Sequence, residues 1–152
     1  MFSQTTEYAL RAMALLAYYP GELVPTPSIA SETKVPTTYL AKVLQMLSSA
    51  NLISGKRGVG GGYRLTKPPE QISLLEVIDA VAPIRRITIC PLGLSDHGSN
   101  LCPLHRKMDQ AAKMMIEHFS GVMLADLIGQ KEGSRPLCDK VKAAKLTVSV
   151  KK

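Results

Sequence analysis

Apolar side chains recur at helical spacing from the start of the chain, with Leu10, Met13, Leu16 and Ala17 on one face. Ser3 is placed to N-cap that run and Pro20-Gly21 to end it, so the spacing predicts a first helix to about Tyr19. Thr26-Pro27 is a cap followed by a first-turn proline and opens a short helix from Ser28 to about Thr33. Val35-Pro36 interrupts, and a third helix follows. Its apolar positions Leu40, Val43, Leu44 and Leu47 fall at i, i+3, i+4 and i+7, the pattern of a one-sided helix. The opposite face carries Thr37, Thr38, Ala41, Lys42 and Gln45, with Tyr39 flanking it, and is small, polar and basic.

The period then shortens. Leu52-Ile53-Ser54 and Tyr63-Arg64-Leu65 read as two strands around a connection rich in glycine, Gly55 to Gly62, which makes a hairpin. Ser73-Leu74-Leu75-Glu76 is a capping box that opens a fourth helix to about Val81, and Pro83 closes it. Residues 84–102, with Pro91, Gly93 and Gly98, carry no period. Pro103 starts a longer helix to about Phe119, with Leu104, Met108, Ala111, Ala112, Met115 and Phe119 as its apolar stripe. Gly121 breaks it, a further short helix is expected from Val122 to Ile128, and little order is expected beyond Gly129.

The expected fold is mostly α with a small β-hairpin wing, a winged helix-turn-helix plus a long C-terminal dimerisation helix. Four regions follow: a DNA-binding domain over 1–83, a cysteine loop over 84–102, dimerisation helices over 103–129 and a basic tail without order over 130–152.

Charge sharpens this picture. The chain has 152 residues and a net charge of +7, which points to a polyanionic partner. The segment from Lys34 to Lys67 holds Lys34, Lys42, Lys56, Arg57, Arg64 and Lys67 and no acid, while the first 80 residues as a whole are close to neutral. That is a local electrostatic footprint. A second surplus, Lys131 to Lys152, reads as a solvated tail. No run approaches the ~20 apolar residues of a membrane span, and the N-terminus lacks the pattern of a signal peptide. A cytoplasmic protein with no membrane partner is therefore expected.

Short helix, turn, one-sided helix and glycine-tipped basic hairpin follow one another in the order of a winged helix-turn-helix. The major groove of double-stranded DNA admits a helix whose exposed side chains reach base edges. Thr37, Thr38, Tyr39, Lys42 and Gln45 are the candidates here, with Lys56, Arg57 and Arg64 of the hairpin for phosphate or minor-groove contact. A nucleotide-cradling loop is excluded by context: no Gly-Lys-Ser/Thr follows the glycines, and a strand rather than a helix comes next.

Tyr8-Ala9-Leu10-Arg11-Ala12, Tyr39-Leu40 with Val43-Leu44, and Arg57-Gly58-x-Gly60-Gly61-Gly62-Tyr63 resemble one bacterial repressor family. It is the winged-helix family that includes the iron–sulfur cluster regulator IscR, the nitric-oxide sensor NsrR and the cysteine-metabolism regulator CymR. The resemblance runs from Ser3 to about Gln130. It implies a homodimer joined mainly through the helix starting near Pro103, recognition by the third helix, and wing-tip contact through Arg57. This chain has Ala41 where IscR-type proteins place a functional Glu, and Lys42 where they have Gln, so target sequence does not carry over.

Cys90, Asp96, His97, Cys102 and His105 lie within one 16-residue segment. Cys102 and His105 are i and i+3, on one side of a first helical turn. Thiolate and imidazole suit an iron–sulfur cluster or Zn. The resemblance implies Cys90 and Cys102 as the outer cysteines of a cluster loop and His105 as the histidine that follows. The place of the middle cysteine falls on Asp96. The fourth ligand is then among Asp96, His97 and Glu7, the last contributed across the dimer as in some family members. Cys138, in the basic tail, has no nearby ligand partner and reads as an incidental thiol.

The expected function is thus a dimeric DNA-binding repressor, not an enzyme, gated through Cys90, Cys102 and His105. Two other sensors fit the same residues: a metal-free thiol switch and a structural Zn site. A small cysteine-dependent enzyme lacks the acid–base pair and pocket it would need.

Overall fold

The structure is a computed structural model that describes residues 2–94, 100–129 and 136–137. Asp96, His97, Cys138 and nearly all of the basic tail therefore lie outside the described residues.

The first helix, α1 (Gln4–Ala17), is capped as its sequence dictates: the Ser3 hydroxyl accepts from the Thr6 amide at 3.2 Å. It is the centre of the core, with Ala9, Ala12, Met13, Leu15, Leu16 and Ala17 all essentially inaccessible. α2 (Thr26–Thr33) begins two residues earlier than the pattern predicts. Pro25 occupies the N-cap position and Thr26 is already helical, so no side chain caps this helix. Lys34 leaves α2 in the left-handed region, at φ 55°, and the buried Val35 anchors the turn into α3 (Thr37–Ser49). Leu40, Val43, Leu44 and Leu47 of α3 are buried, as their spacing requires.

The wing is an antiparallel pair, β1 (Ile53–Lys56) and β2 (Gly62–Leu65), registered Ile53 to Leu65 and Lys56 to Gly62. A third segment completes it. Val24 forms a two-way bridge with Tyr63, each amide donating to the other's carbonyl at 2.9 Å. This fixes the wing to the chain that enters α2. Pro69–Gln71 forms a single 3-10 turn ahead of α4 (Leu74–Val81). The capping box at α4 is complete in both directions, between Ser73 and Glu76.

α5 (Pro103–Ser120) buries none of its residues fully. Its far end packs on the core through Phe119, whose ring stands edge-on to Phe2 at 5.4 Å. Leu104, Met108 and Met114 stay 65%, 51% and 64% exposed, which is costly surface for a long amphipathic helix to leave in water. After Gly121 the chain returns to the core. The Leu74 amide donates to the Val122 carbonyl at 2.8 Å, and the Leu124 amide to Ile72 at 2.9 Å. Val122 and Met123 are thus extended, and α6 (Leu124–Ile128) starts later than the expected Val122. Leu124 is completely buried among the residues of α1 and its neighbours.

The winged helix-turn-helix with a long helix after it is the expected fold class, and no described helix is long and apolar enough to cross a membrane.

Candidate nucleic-acid interface and cysteine loop

Burial of one face of α3 leaves the other outside. Thr37, Thr38, Tyr39, Lys42 and Gln45 are all exposed, Tyr39 by 55%. Tyr39 does not stand alone. Its ring meets that of the buried Tyr8 edge-on, at 6.1 Å and 65°. The Arg11 guanidinium lies over the other ring of this pair, 5.8 Å from the Tyr8 centroid. Arg11 also ion-pairs with Glu7 and donates to the Thr33 carbonyl at the end of α2. One face of α1 therefore supports both helices of the helix-turn-helix.

Lys56, Arg57 and Arg64 of the wing are exposed as well. The tip turn is closed by the Gly61 amide donating to Gly58, and Val59 projects fully into solvent. Gly62 has no room for a side chain: at φ 153°, a Cβ there would sit 2.3 Å from the Val24 carbonyl oxygen. Thr26 of α2, Ser48 of α3 and the wing residues Lys56, Arg57 and Tyr63 line one open groove. Within the acid-free segment, Lys67 is ion-paired with Glu76 at 3.3 Å. Lys34, Lys42, Lys56, Arg57 and Arg64 form no ion pair among the described residues. Their charges are available to a polyanion.

The cysteine loop is built differently. Cys90 is buried, 5% exposed, at the end of the segment that leaves α4. Cys102 is the N-cap residue of α5 and its side chain does not cap the helix. It turns instead to His105, with Sγ 3.4 Å from Nδ1, as their i, i+3 relation predicts. Among the described residues, no three His, Cys, Asp or Glu side chains come together as a metal-binding group. The structure brings Cys102 and His105 together and does not join Cys90 to them in such a group. Glu7 is exposed and engaged by Arg11, so service as a ligand would require it to leave that partner.

An ion pair that local sequence patterns do not signal spans the base of this loop. Arg86, ahead of Cys90, donates from Nε and Nη2 to the two carboxylate oxygens of Asp109 on α5, both at 2.6 Å. The Ile87 amide adds a third bond to Asp109 at 2.8 Å. The Arg86 bond and the Ile87 amide hold the Asp109 carboxyl down to a pKa of about 2.

A helix-turn-helix whose second helix is buried on one side only, a basic hairpin fixed beside it and a long partly apolar helix define a winged-helix DNA-binding transcription regulator. The chain belongs to the Rrf2 family, described as "Iron-dependent Transcriptional regulator", whose pattern matches residues 2–130. An HTH-type transcriptional regulator of Aquifex aeolicus (strain VF5) is 32% identical over 135 residues, 87% of this chain and 94% of that protein. Two solved structures share the fold. CymR, the global cysteine regulator of B. subtilis, superposes with a TM-score of 0.71 at 24% identity, over 87% of this chain and 98% of that one. T. potens IscR gives 0.71 at 23% identity, over 87% and 88%. The family and the named relatives are transcriptional regulators rather than enzymes.

Proposed function

We propose that this chain is a homodimeric repressor in the cytoplasm that binds a double-stranded DNA operator and is gated at the loop carrying Cys90, Cys102 and His105. The observation that carries DNA recognition is a set of five cations, Lys34, Lys42, Lys56, Arg57 and Arg64, that form no ion pair among the described residues and surround a polar exposed helix face. Thr37, Thr38, Tyr39, Lys42 and Gln45 face base edges in this reading, and Lys56, Arg57 and Arg64 hold the backbone or minor groove. Residues 1–83 form the DNA-binding part, 84–102 the sensor and 103–129 the dimer contact. The exposed Leu104 and Met108 on α5 support pairing through that helix. Two half-sites about 34 Å apart must be met at once, so a small pivot at α5 changes operator affinity.

The thiolate and imidazole donors of Cys102 and His105 suit an iron–sulfur cluster, with Cys90 and one of Asp96, His97 or Glu7 completing the set. A bound cluster would supply a site that reacts with oxidants. Protein purified without oxygen is then coloured and contains iron and sulfide. Colourless, metal-free protein from that preparation overturns the cluster reading. The 3.4 Å contact between Cys102 and His105 also favours a second reading, a metal-free thiol switch in which a peroxide or disulfide oxidant converts Cys90 and Cys102 to a disulfide, or one of them to a sulfenic acid.

Fluorescence anisotropy with a duplex selected from a random library by the wild-type protein tests the interface. Arg57→Ala weakens binding by ~1–3 kcal/mol and lowers the slope of log K against log salt by about 1. Unchanged affinity and slope overturn the wing assignment.

A further inference from the structure

The segment from Cys90 to Cys102 leaves one stem at Ile87 and enters the other at α5. Each stem is tied locally: the Gly93 amide donates to the Cys90 carbonyl at 3.1 Å, and Arg106 reaches the Leu101 carbonyl at 3.1 Å. Arg86 and Asp109 do something else, because they join the two stems. Asp109 lies one turn after His105 and two turns after Cys102, so the three share a face of α5. Arg86 and Ile87 lie four and three residues before Cys90.

Surface ion pairs usually contribute little, because solvent screens them and two long side chains must be ordered. This one differs in geometry. The guanidinium binds both carboxylate oxygens, which fixes direction as well as distance. The backbone amide of Ile87 binds the same carboxylate, so the main chain itself is anchored three residues before Cys90. The Asp109 side chain is 16% exposed, against 41% for Arg86, and is the sheltered half of the pair.

We propose that Arg86 and Asp109 form a clasp across the base of the cysteine loop, which sets the position of the Cys90 stem on α5 and keeps Cys90 covered. Both are positioning residues, and the meaning of the clasp for regulation rests on the sensor reading above. Opening the clasp frees the Cys90 stem while Cys102 stays on its helix, so thiol chemistry at Cys90 and the orientation of α5 are linked through this pair.

The test uses the full chain, reduced and metal-free, and a maleimide reagent, with labelled peptides separated by mass. In Arg86→Ala and Asp109→Asn, Cys90 reacts about fivefold faster or more than in wild type, while Cys102 changes little and serves as internal reference. The exchanged pair, Arg86→Asp with Asp109→Arg, restores the ion pair but not the acceptor of the Ile87 amide, and brings the Cys90 rate part of the way back toward wild type. An unchanged Cys90 rate in both single variants overturns the clasp. So does equal acceleration at Cys90 and Cys102 with a lowered melting temperature, which marks general loosening. Selective acceleration at Cys90 supports the clasp even where wild-type DNA affinity ignores thiol oxidation, a result that overturns the sensor reading alone.

Discussion

Tyr39, on the exposed face of α3, rests edge-on against Tyr8 of α1, with 6.1 Å between ring centroids. A side chain exposed on the proposed DNA-facing surface is therefore oriented by a buried one on another helix. Edge-to-face pairs of this kind contribute ~0.5–1.5 kcal/mol beyond the area they bury. Tyr8→Leu keeps the core filled but removes the ring. It lowers DNA affinity about threefold to tenfold without touching DNA, a loss of the size of the pair's own stabilisation. Tyr39→Phe keeps the ring contact and the melting temperature, so any affinity it loses belongs to the hydroxyl. Anisotropy and thermal denaturation of the two variants read this out, and wild-type affinity in Tyr8→Leu counts against the support role.

Gly62 is where the wing meets the segment before α2. Gly62→Ala places a Cβ against the Val24 carbonyl at an unfavourable φ of 153°. The expected cost is on the order of 1–3 kcal/mol of stability, with loss of the Val24–Tyr63 bridge and weaker DNA binding. Gly60→Ala, at φ 71° but in open space, meets backbone strain alone and costs less. Urea denaturation of both variants ranks them, and the reverse order would show that Val24 does not set the wing.

Acid stability follows from the carboxylates. Asp109 is depressed to about 2 by Arg86 and the Ile87 amide, and Glu76 is lowered chiefly by its bond from the Ser73 amide. A depressed carboxylate stabilises the fold above its unfolded value and loses that contribution as pH falls through the folded one. For Asp109 the window is about pH 4 down to about pH 2. Asp109→Asn therefore flattens the fall of stability across that window, and salt flattens it in wild type because the pair is near the surface. Equal slopes in the variant and wild type at low salt would contradict the assignment.

Much of this architecture is legible in the sequence where one local rule governs it. The α3 face follows from period alone, and the α4 start from the Ser73–Glu76 capping box. The i, i+3 contact of Cys102 with His105 follows from helix geometry. What is not legible depends on residues far apart in the chain. The Val24–Tyr63 bridge, the Ser73–Met123 bridge and the Arg86–Asp109 pair have no local signature, because nothing nearby in sequence marks a partner more than twenty residues away. Thr26 shows a local rule overridden: Pro25 takes the cap position, and bonding of the Ser28 and Ile29 amides to the Pro25 carbonyl draws the helix start forward.

In the proposed mechanism, chemistry at the cysteine loop changes operator affinity. This link is tested most directly by measuring Kd for one selected duplex with protein prepared without oxygen, before and after treatment with a thiol oxidant. Coupling of ordinary size predicts a change of about tenfold or more, with Cys102→Ser giving the same Kd in both conditions. An identical Kd for wild-type protein before and after oxidation would contradict it.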